Sequence, residues 1–143
     1  MKHLLWLGFI ALSLLLCLSQ TSNAQTTRFK VVIEVTSNDA KAWNNALNHV
    51  ENLRNALGKD QIQIEVVCHG PGLELLKNTH PGPDTDRMRA FSQDKVVFAA
   101  CENTMKKQKV TKMDLWPFAT PVDSGVSELV RKQTQGWSYI HEK

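Results

Sequence analysis

Apolar and polar positions follow two different periods along this chain, and the change from one period to the other marks its elements. Residues 29–35 form a β-branched run whose centre, 31–33, is continuously apolar, as in a strand that is buried on both faces. Apolar residues then recur at helical spacing, at Trp43, Leu47, Val50, Leu53 and Leu57. A second strand is predicted at 62–67. A strand, a helix and a strand within about 40 residues predict a parallel βαβ unit.

The second half of the chain repeats this alternation in shorter units. The pattern predicts a strand at 95–100, a helix at 102–108, a strand at 118–122, a helix between Ser124 and Gly136, and a strand at 137–140. Strands that alternate with helices predict an α/β fold, namely a doubly wound, mainly parallel sheet with helices on both faces. No internal repeat or second domain interrupts the pattern, so residues 25–143 are predicted to form one domain.

Glycine and proline place the connections between these elements. Gly70-Pro71-Gly72 ends the second strand and turns the chain into a short apolar helical turn. Residues 80–84 are predicted to be a loop, because Pro81 and Pro83 do not fit the interior of a helix, and a helix is expected only at 86–93. In a parallel α/β sheet, ligands bind at the carboxyl ends of the strands. That rule directs attention to segments 36–38, 68–70 and 101–103.

The first residues have the order of a secretory signal. Lys2 supplies a positive start, residues 4–19 carry no charge, and small residues at Ser22 and Ala24 precede a predicted cut after Ala24. An uncleaved anchor is disfavoured because the apolar run is short for a bilayer span of about 20 residues. We therefore predict a signal peptide at 1–24, a domain at 25–143, a periplasmic location and no stable membrane span after cleavage.

Charge and cysteine content narrow the classes of function. The predicted mature domain keeps 16 basic residues against 14 acidic ones, which is too mild an excess to indicate nucleic-acid binding. Cleavage removes Cys17 and leaves Cys68 and Cys101, which form a disulfide only if their strand ends lie close together. The sequence has no Cys-x-x-Cys or His-x-x-x-His spacing, no dinucleotide fingerprint and no phosphate-loop motif. Neither a metal nor a cofactor is therefore expected.

Cys101 is the best candidate for chemistry. It stands where an apolar strand gives way to a helix, and the N–H groups of a helix N-terminus favour the thiolate over the thiol. The alternative is a small buried residue that fills the end of a strand. His69 either faces the same crevice as a proton donor or is a structural histidine. Cys68 and His69 point to opposite faces of the strand, so they are not expected to form a Cys–His pair.

Several ordered segments give the chain a resemblance to a known family. They are residues 66–76 (VVCHGPGLELL), 98–105 (FAACENTM), 124–130 (SGVSELV) and 135–140 (QGWSYI). From about residue 28 onward, the chain resembles the DsrE/DsrF-like family, in particular its small exported members. The resemblance implies a five-stranded α/β/α sandwich that assembles into homo-oligomers. It also implies a link to sulfur metabolism, in which some relatives carry sulfur as a cysteine persulfide and pass it to partner proteins.

The resemblance also implies roles for individual residues. Cys101 falls on the family's Phe-x-Ala-Cys-x-Asn-Thr pattern, so it is expected to be the nucleophile and persulfide carrier. Cys68 departs from the family, whose members usually have a small or apolar residue there. The residues expected to bind the ligand are His69, Gly70, Gly72, Asn103 and Thr104.

Two functions remain open at this point, besides a third idea, a structural disulfide protein. The first is a periplasmic sulfur carrier that acts with a sulfur-carrier protein as its partner. The second is a non-catalytic, homo-oligomeric module that binds a small ligand or a protein in the same crevice. Fold alone does not decide between them, because one fold supports many functions.

Overall fold

The structure, a computed structural model, describes residues 27–79 and 83–143. The predicted signal peptide at 1–24, and with it Cys17, lies outside the described residues and stays a prediction. Residues 80–82 of the predicted loop lie outside them as well. Within the two described segments, no helix combines the length and the apolar character that a membrane crossing requires.

The described residues form five strands that alternate with helices. In chain order the elements are β1 (Phe29–Val35), α1 (Ala40–Leu57), β2 (Ile62–Cys68), a 3-10 helix (Gly70–Leu76), α2 (Pro83–Gln93), β3 (Val97–Cys101), α3 (Glu102–Gln108), a second 3-10 helix (Lys112–Asp114), β4 (Ala119–Val122), α4 (Gly125–Thr134) and β5 (Ser138–Glu142). The strands make one parallel sheet in the order β4-β3-β2-β1-β5. The predicted α/β fold with a five-stranded sheet is confirmed.

The strand order covers the two faces of the sheet unequally. From β1 to β4 each strand is added on the same side, so right-handed crossovers place α1, α2 and α3 on one face. These helices bury Leu47, Met88 and Met105 in a large core. The connection from β4 to β5 runs back across the sheet and places α4 on the other face, where Leu129 packs in a small core. The strand residues of that small core are Val32, Val67 and Ala99.

Two boundaries differ from the sequence-based expectation. The predicted loop at 80–84 is wrong for Pro83 and Asp84, which form the first turn of α2 together with Asp86. Proline fits the first helical position because that position needs no backbone N–H, and carboxylates in the first turn are stabilised by the helix dipole. The third strand begins at Val97, because Lys95 has a φ of 69° and belongs to the preceding turn.

Candidate functional site

Cys101 lies at the carboxyl end of β3, directly before α3. Side chains alternate along a strand, so Cys101 shares a face with Ala99 of the small core, under the start of α4. The residue is 4% exposed. Its thiol therefore sits at the end of the sheet where parallel α/β folds bind their ligands.

Four hydrogen-bond donors converge on the Cys101 sulfur. They are the hydroxyl of Thr104 and the backbone N–H groups of Gly125, Thr104 and Asn103. Burial raises the pKa of the Cys101 thiol, but these four hydrogen bonds outweigh it and hold the pKa below its usual value. Because α3 begins at Glu102 and α4 begins at Gly125, the sulfur faces the N-termini of two helices. The arrangement favours the thiolate, which is the nucleophilic form of cysteine.

Cys68 has a different environment from Cys101. It is fully buried in the large core, on the opposite face of the sheet, and burial raises the pKa of its thiol. Both cysteines are free thiols, so the disulfide that the sequence left open is not formed. Of these two cysteines, Cys101 has the surroundings of a reactive thiol.

His69 lies next to Cys101, and Gly125 separates the two side chains. A Cβ atom on Gly125 would lie 3.0 Å from Cβ of His69 and 3.3 Å from Cβ of Cys101. A larger residue at position 125 would therefore push against both side chains. Nε2 of His69 lies 2.6 Å from Oε1 of Glu34, so the ring is held by a carboxylate of β1.

Glu34 was not identified by the sequence analysis. The residue is 9% exposed, and its two carboxylate oxygens are shared between His69 and the hydroxyl of Tyr139, which donates to Oε2. Nε2 of His141 lies 3.7 Å from the same Oε2 atom. Burial raises the pKa of Glu34, but the hydrogen bonds from Tyr139 and His69 and the charges of His69 and His141 hold it below its usual value. Glu34 is therefore a carboxylate at neutral pH.

Tyr139 and His141 reach Glu34 because β5 lies beside β1. The parallel register pairs Tyr139 with Val32 and His141 with Glu34, so these side chains share a face of the sheet. Burial and the Glu34 carboxylate raise the pKa of Tyr139 to about 12, which keeps its hydroxyl protonated as a donor. His141 also lies 3.1 Å from the hydroxyl of Thr36 through Nε2.

The predicted ligand-binding residues fall into two groups. His69, Gly70, Asn103 and Thr104 surround the Cys101 thiol, and Gly70 donates its N–H to the hydroxyl of Thr104 at 2.9 Å. Gly72 is turned toward β1 instead. A Cβ atom there would lie 2.1 Å from the carbonyl oxygen of Val35, so this glycine allows the 3-10 helix to pack against the strand.

Two further features of the described chain concern ligand binding away from Cys101. Across residues 27–79 and 83–143, no three or more His, Cys, Asp or Glu side chains are grouped so that they could hold a metal ion. A cavity of about 530 Å³ lies at the opposite end of the sheet. It is lined in part by Glu65 and Lys132, whose Nζ–Oε2 distance is 2.5 Å.

Comparison with known proteins relates this fold to one family. A model of the DsrE/DsrF-like family matches residues 24–141. The structure is similar to that of MTH1491 from Methanobacterium thermoautotrophicum, a protein of unknown function, with a TM-score of 0.74, 29% identity, and coverage of 79% of this chain and 98% of that one. It is also similar to the YchN protein from E. coli, with a TM-score of 0.62, 11% identity, and coverage of 80% and 98%, a likeness of fold alone. No curated protein gave a match. Since the family model spans nearly all of the described residues, the chain belongs to the DsrE/DsrF-like family.

Proposed function

We propose that this protein is a periplasmic sulfur carrier that holds sulfane sulfur as a persulfide on Cys101. The observation that supports the proposal is the set of four hydrogen-bond donors on the Cys101 sulfur, which lowers the pKa of the thiol. A thiolate attacks sulfane sulfur, and the same donors stabilise negative charge on the resulting persulfide. Family membership is consistent with a role in sulfur metabolism but leaves the reaction open.

The surroundings of Cys101 also suit an oxidising compartment, where exposed thiols form disulfides. The second cysteine of the described chain, Cys68, is buried on the other face of the sheet and cannot reach the Cys101 sulfur without a rearrangement of the core. Cys101 itself is 4% exposed, which limits disulfide formation with exposed thiols of other molecules. The periplasmic location rests on the signal-like order of residues 1–24.

Incubation with glutathione persulfide, followed by mass spectrometry of the Cys101 peptide, tests this proposal. We expect the peptide to gain one sulfur atom in the wild type and in Cys68→Ser, and to gain none in Cys101→Ser. An unrelated protein with a reactive thiol serves as the positive control for the donor. If that control gains sulfur and Cys101 does not, the carrier function is wrong.

A homo-oligomeric assembly is favoured by a separate observation. Val126 and Val130 lie one turn apart on α4 and are 59% and 58% exposed, which leaves an apolar strip on the helix that covers the small core. We propose that a second copy covers this strip. Light scattering should give a mass above that of a monomer, and Val130→Asp should lower it. A monomeric wild type would contradict the assembly.

The same assembly also fits the second candidate, a binding module without catalysis. That candidate predicts that Cys101→Ser leaves ligand binding and physiological function unchanged. Retained function in this variant, with no sulfur gained by the wild type, would favour the binding module over the carrier.

A further inference from the structure

We propose that His69 is the proton donor to the leaving thiolate when sulfur is transferred to Cys101, and that Glu34 and Tyr139 are positioning residues that hold its ring. The inference rests on the proposed carrier function and specifies its chemistry. The donor class is an alkyl persulfide, whose departing thiolate is basic enough to need a proton.

The first observation is that His69 and Cys101 border the same space. Both lie against Gly125, with the Cβ atom of His69 at 3.0 Å and its ring carbon Cγ at 3.2 Å from the position of an added Cβ. The Cβ atom of Cys101 lies 3.3 Å from that position. The two side chains are therefore neighbours, and the proposed step places the donor molecule between the Cys101 sulfur and the His69 ring.

The second observation separates the role of His69 from that of a base that would activate Cys101. The donors to the Cys101 sulfur are Thr104, Gly125 and Asn103, and they already favour the thiolate. The hydrogen bond of the His69 ring goes to Glu34 instead. His69 is therefore free to act on the other reacting sulfur atom, the one that leaves.

The third observation is the way in which the ring is held. Glu34 is ionised and accepts from Nε2, which fixes a proton on that atom and directs Nδ1 elsewhere. Nδ1 is bonded to Cγ, the ring carbon next to Gly125. Tyr139 donates to the other oxygen of Glu34 and so restrains the carboxylate. This chain of contacts engages Nε2 and makes Nδ1 the ring nitrogen that the proposed step uses.

The proposed step balances without an oxidant. The Cys101 thiolate attacks the outer sulfur of R–S–SH, a new S–S bond forms on Cys101, and the S–S bond of the donor breaks. The electron pair leaves on R–S⁻, which takes the Nδ1 proton of protonated His69. The products are the Cys101 persulfide, R–SH and neutral His69.

The dependence on the leaving group gives the sharpest test. We expect His69→Gln to slow sulfur transfer from glutathione persulfide by about 100-fold, since a positioned acid contributes roughly 10²–10⁴-fold. With an aryl persulfide, whose leaving thiolate is much less basic, the same variant should transfer sulfur at a rate within about threefold of the wild-type rate. A merely structural role for His69 would slow both donors alike.

The pH profile supplies a second readout. The titratable groups around His69 are Glu34 of β1, Tyr139 and His141 of β5, and Cys101 of β3. With the alkyl donor, the wild-type rate should fall at high pH, and His69→Gln should lack this fall. Tyr139→Phe, at a residue that is only partly covered, should retain the fold and slow the alkyl donor by a smaller factor, about 3- to 10-fold.

His49 provides a matched control, because its Nε2 atom lies 2.6 Å from Oε1 of Glu142, the same kind of pair outside the site. His49→Gln should leave transfer from both donors unchanged. The inference is overturned if wild-type Cys101 accepts sulfur and His69→Gln shows no defect or an equal defect with the two donors. If wild-type Cys101 accepts no sulfur from either donor, the carrier function itself has failed, which is a different outcome.

Discussion

Replacing Thr104 by valine should make the Cys101 thiol less acidic. The two side chains have nearly the same shape, so the change removes a hydroxyl and little else. That hydroxyl donates to the Cys101 sulfur and accepts the N–H of Gly70 at 2.9 Å. Of the groups that lower the pKa of Cys101, the Thr104 hydroxyl has the largest effect. Its removal tests directly whether hydrogen bonding sets the reactivity of this thiol.

The magnitude follows from the energy of one hydrogen bond to a charged group, about 1.5–3 kcal/mol. Three backbone donors remain, so we take the lower end, which reduces the thiolate fraction about tenfold at a pH well below the thiol pKa. A more basic thiolate is also a better nucleophile, and with a Brønsted coefficient of about 0.4–0.5 the rate constant of the thiolate itself rises roughly threefold. The net alkylation rate of Thr104→Val should therefore fall about three- to fourfold at low pH. At high pH, where both thiols are ionised, it should rise about threefold.

The assay is the rate of iodoacetamide alkylation of the Cys101 peptide across pH, followed by mass spectrometry. Thr104→Ser keeps the hydroxyl and should follow the wild-type profile within about twofold. Thr104→Val also leaves the N–H of Gly70 without its acceptor, so urea denaturation should show a stability loss of about 1 kcal/mol. If the valine variant changes the rate by the same factor at every pH, or not at all, the hydrogen-bonding explanation of thiol acidity is refuted.

Two further predictions concern stability. Gly72→Ala should lower the free energy of unfolding by about 3 kcal/mol or more, because the new Cβ atom would lie 2.1 Å from the carbonyl oxygen of Val35. Gly70→Ala meets no atom within 4 Å and should lower it by about 1–2 kcal/mol, because its φ of 55° is unfavourable for alanine. Equal losses of the two variants in urea denaturation would contradict this packing argument. Lys132→Met should cost about 3 kcal/mol at pH 7, because Glu65 is 4% exposed and would lose its ion pair. Burial raises the pKa of Glu65, so the folded state takes up a proton more readily than the unfolded state. The stability that Lys132→Met loses relative to the wild type should therefore shrink as the pH falls from 7 toward 4.5. A stability loss that is the same at both pH values would refute this prediction.

The local part of the site could be predicted from the sequence. Asn103 and Thr104 follow Cys101 within three residues, at a strand-to-helix transition that the apolar pattern marks clearly. The strands and helices were also predictable from this local apolar pattern, since each strand is a β-branched or apolar run and each long helix has its own apolar spacing. The start of α2 was missed because the proline rule for helix interiors was applied to Pro83, which is at the first helical position.

The long-range part of the site could not be predicted in this way. Tyr139 donates to Glu34 across 105 residues of sequence, and the contact depends on β5 lying beside β1 and not beside β4. No local pattern encodes that strand order. One signal was available, because Glu34 is the acidic residue within the otherwise apolar segment 31–35 of β1, and a buried carboxylate needs hydrogen-bond partners.

The connection from β4 to β5 supplies both halves of the site. The N-terminus of α4 brings the N–H of Gly125 to the Cys101 sulfur. Because Gly125 has no side chain, it also leaves room for His69. The same connection then carries the chain back across the sheet, so that β5 brings Tyr139 to Glu34. Acidity of the thiol and orientation of the histidine therefore depend on one crossover, although they involve different residues. A change that shifts α4 should affect both properties together, whereas Thr104→Val and Tyr139→Phe should each affect one of them alone.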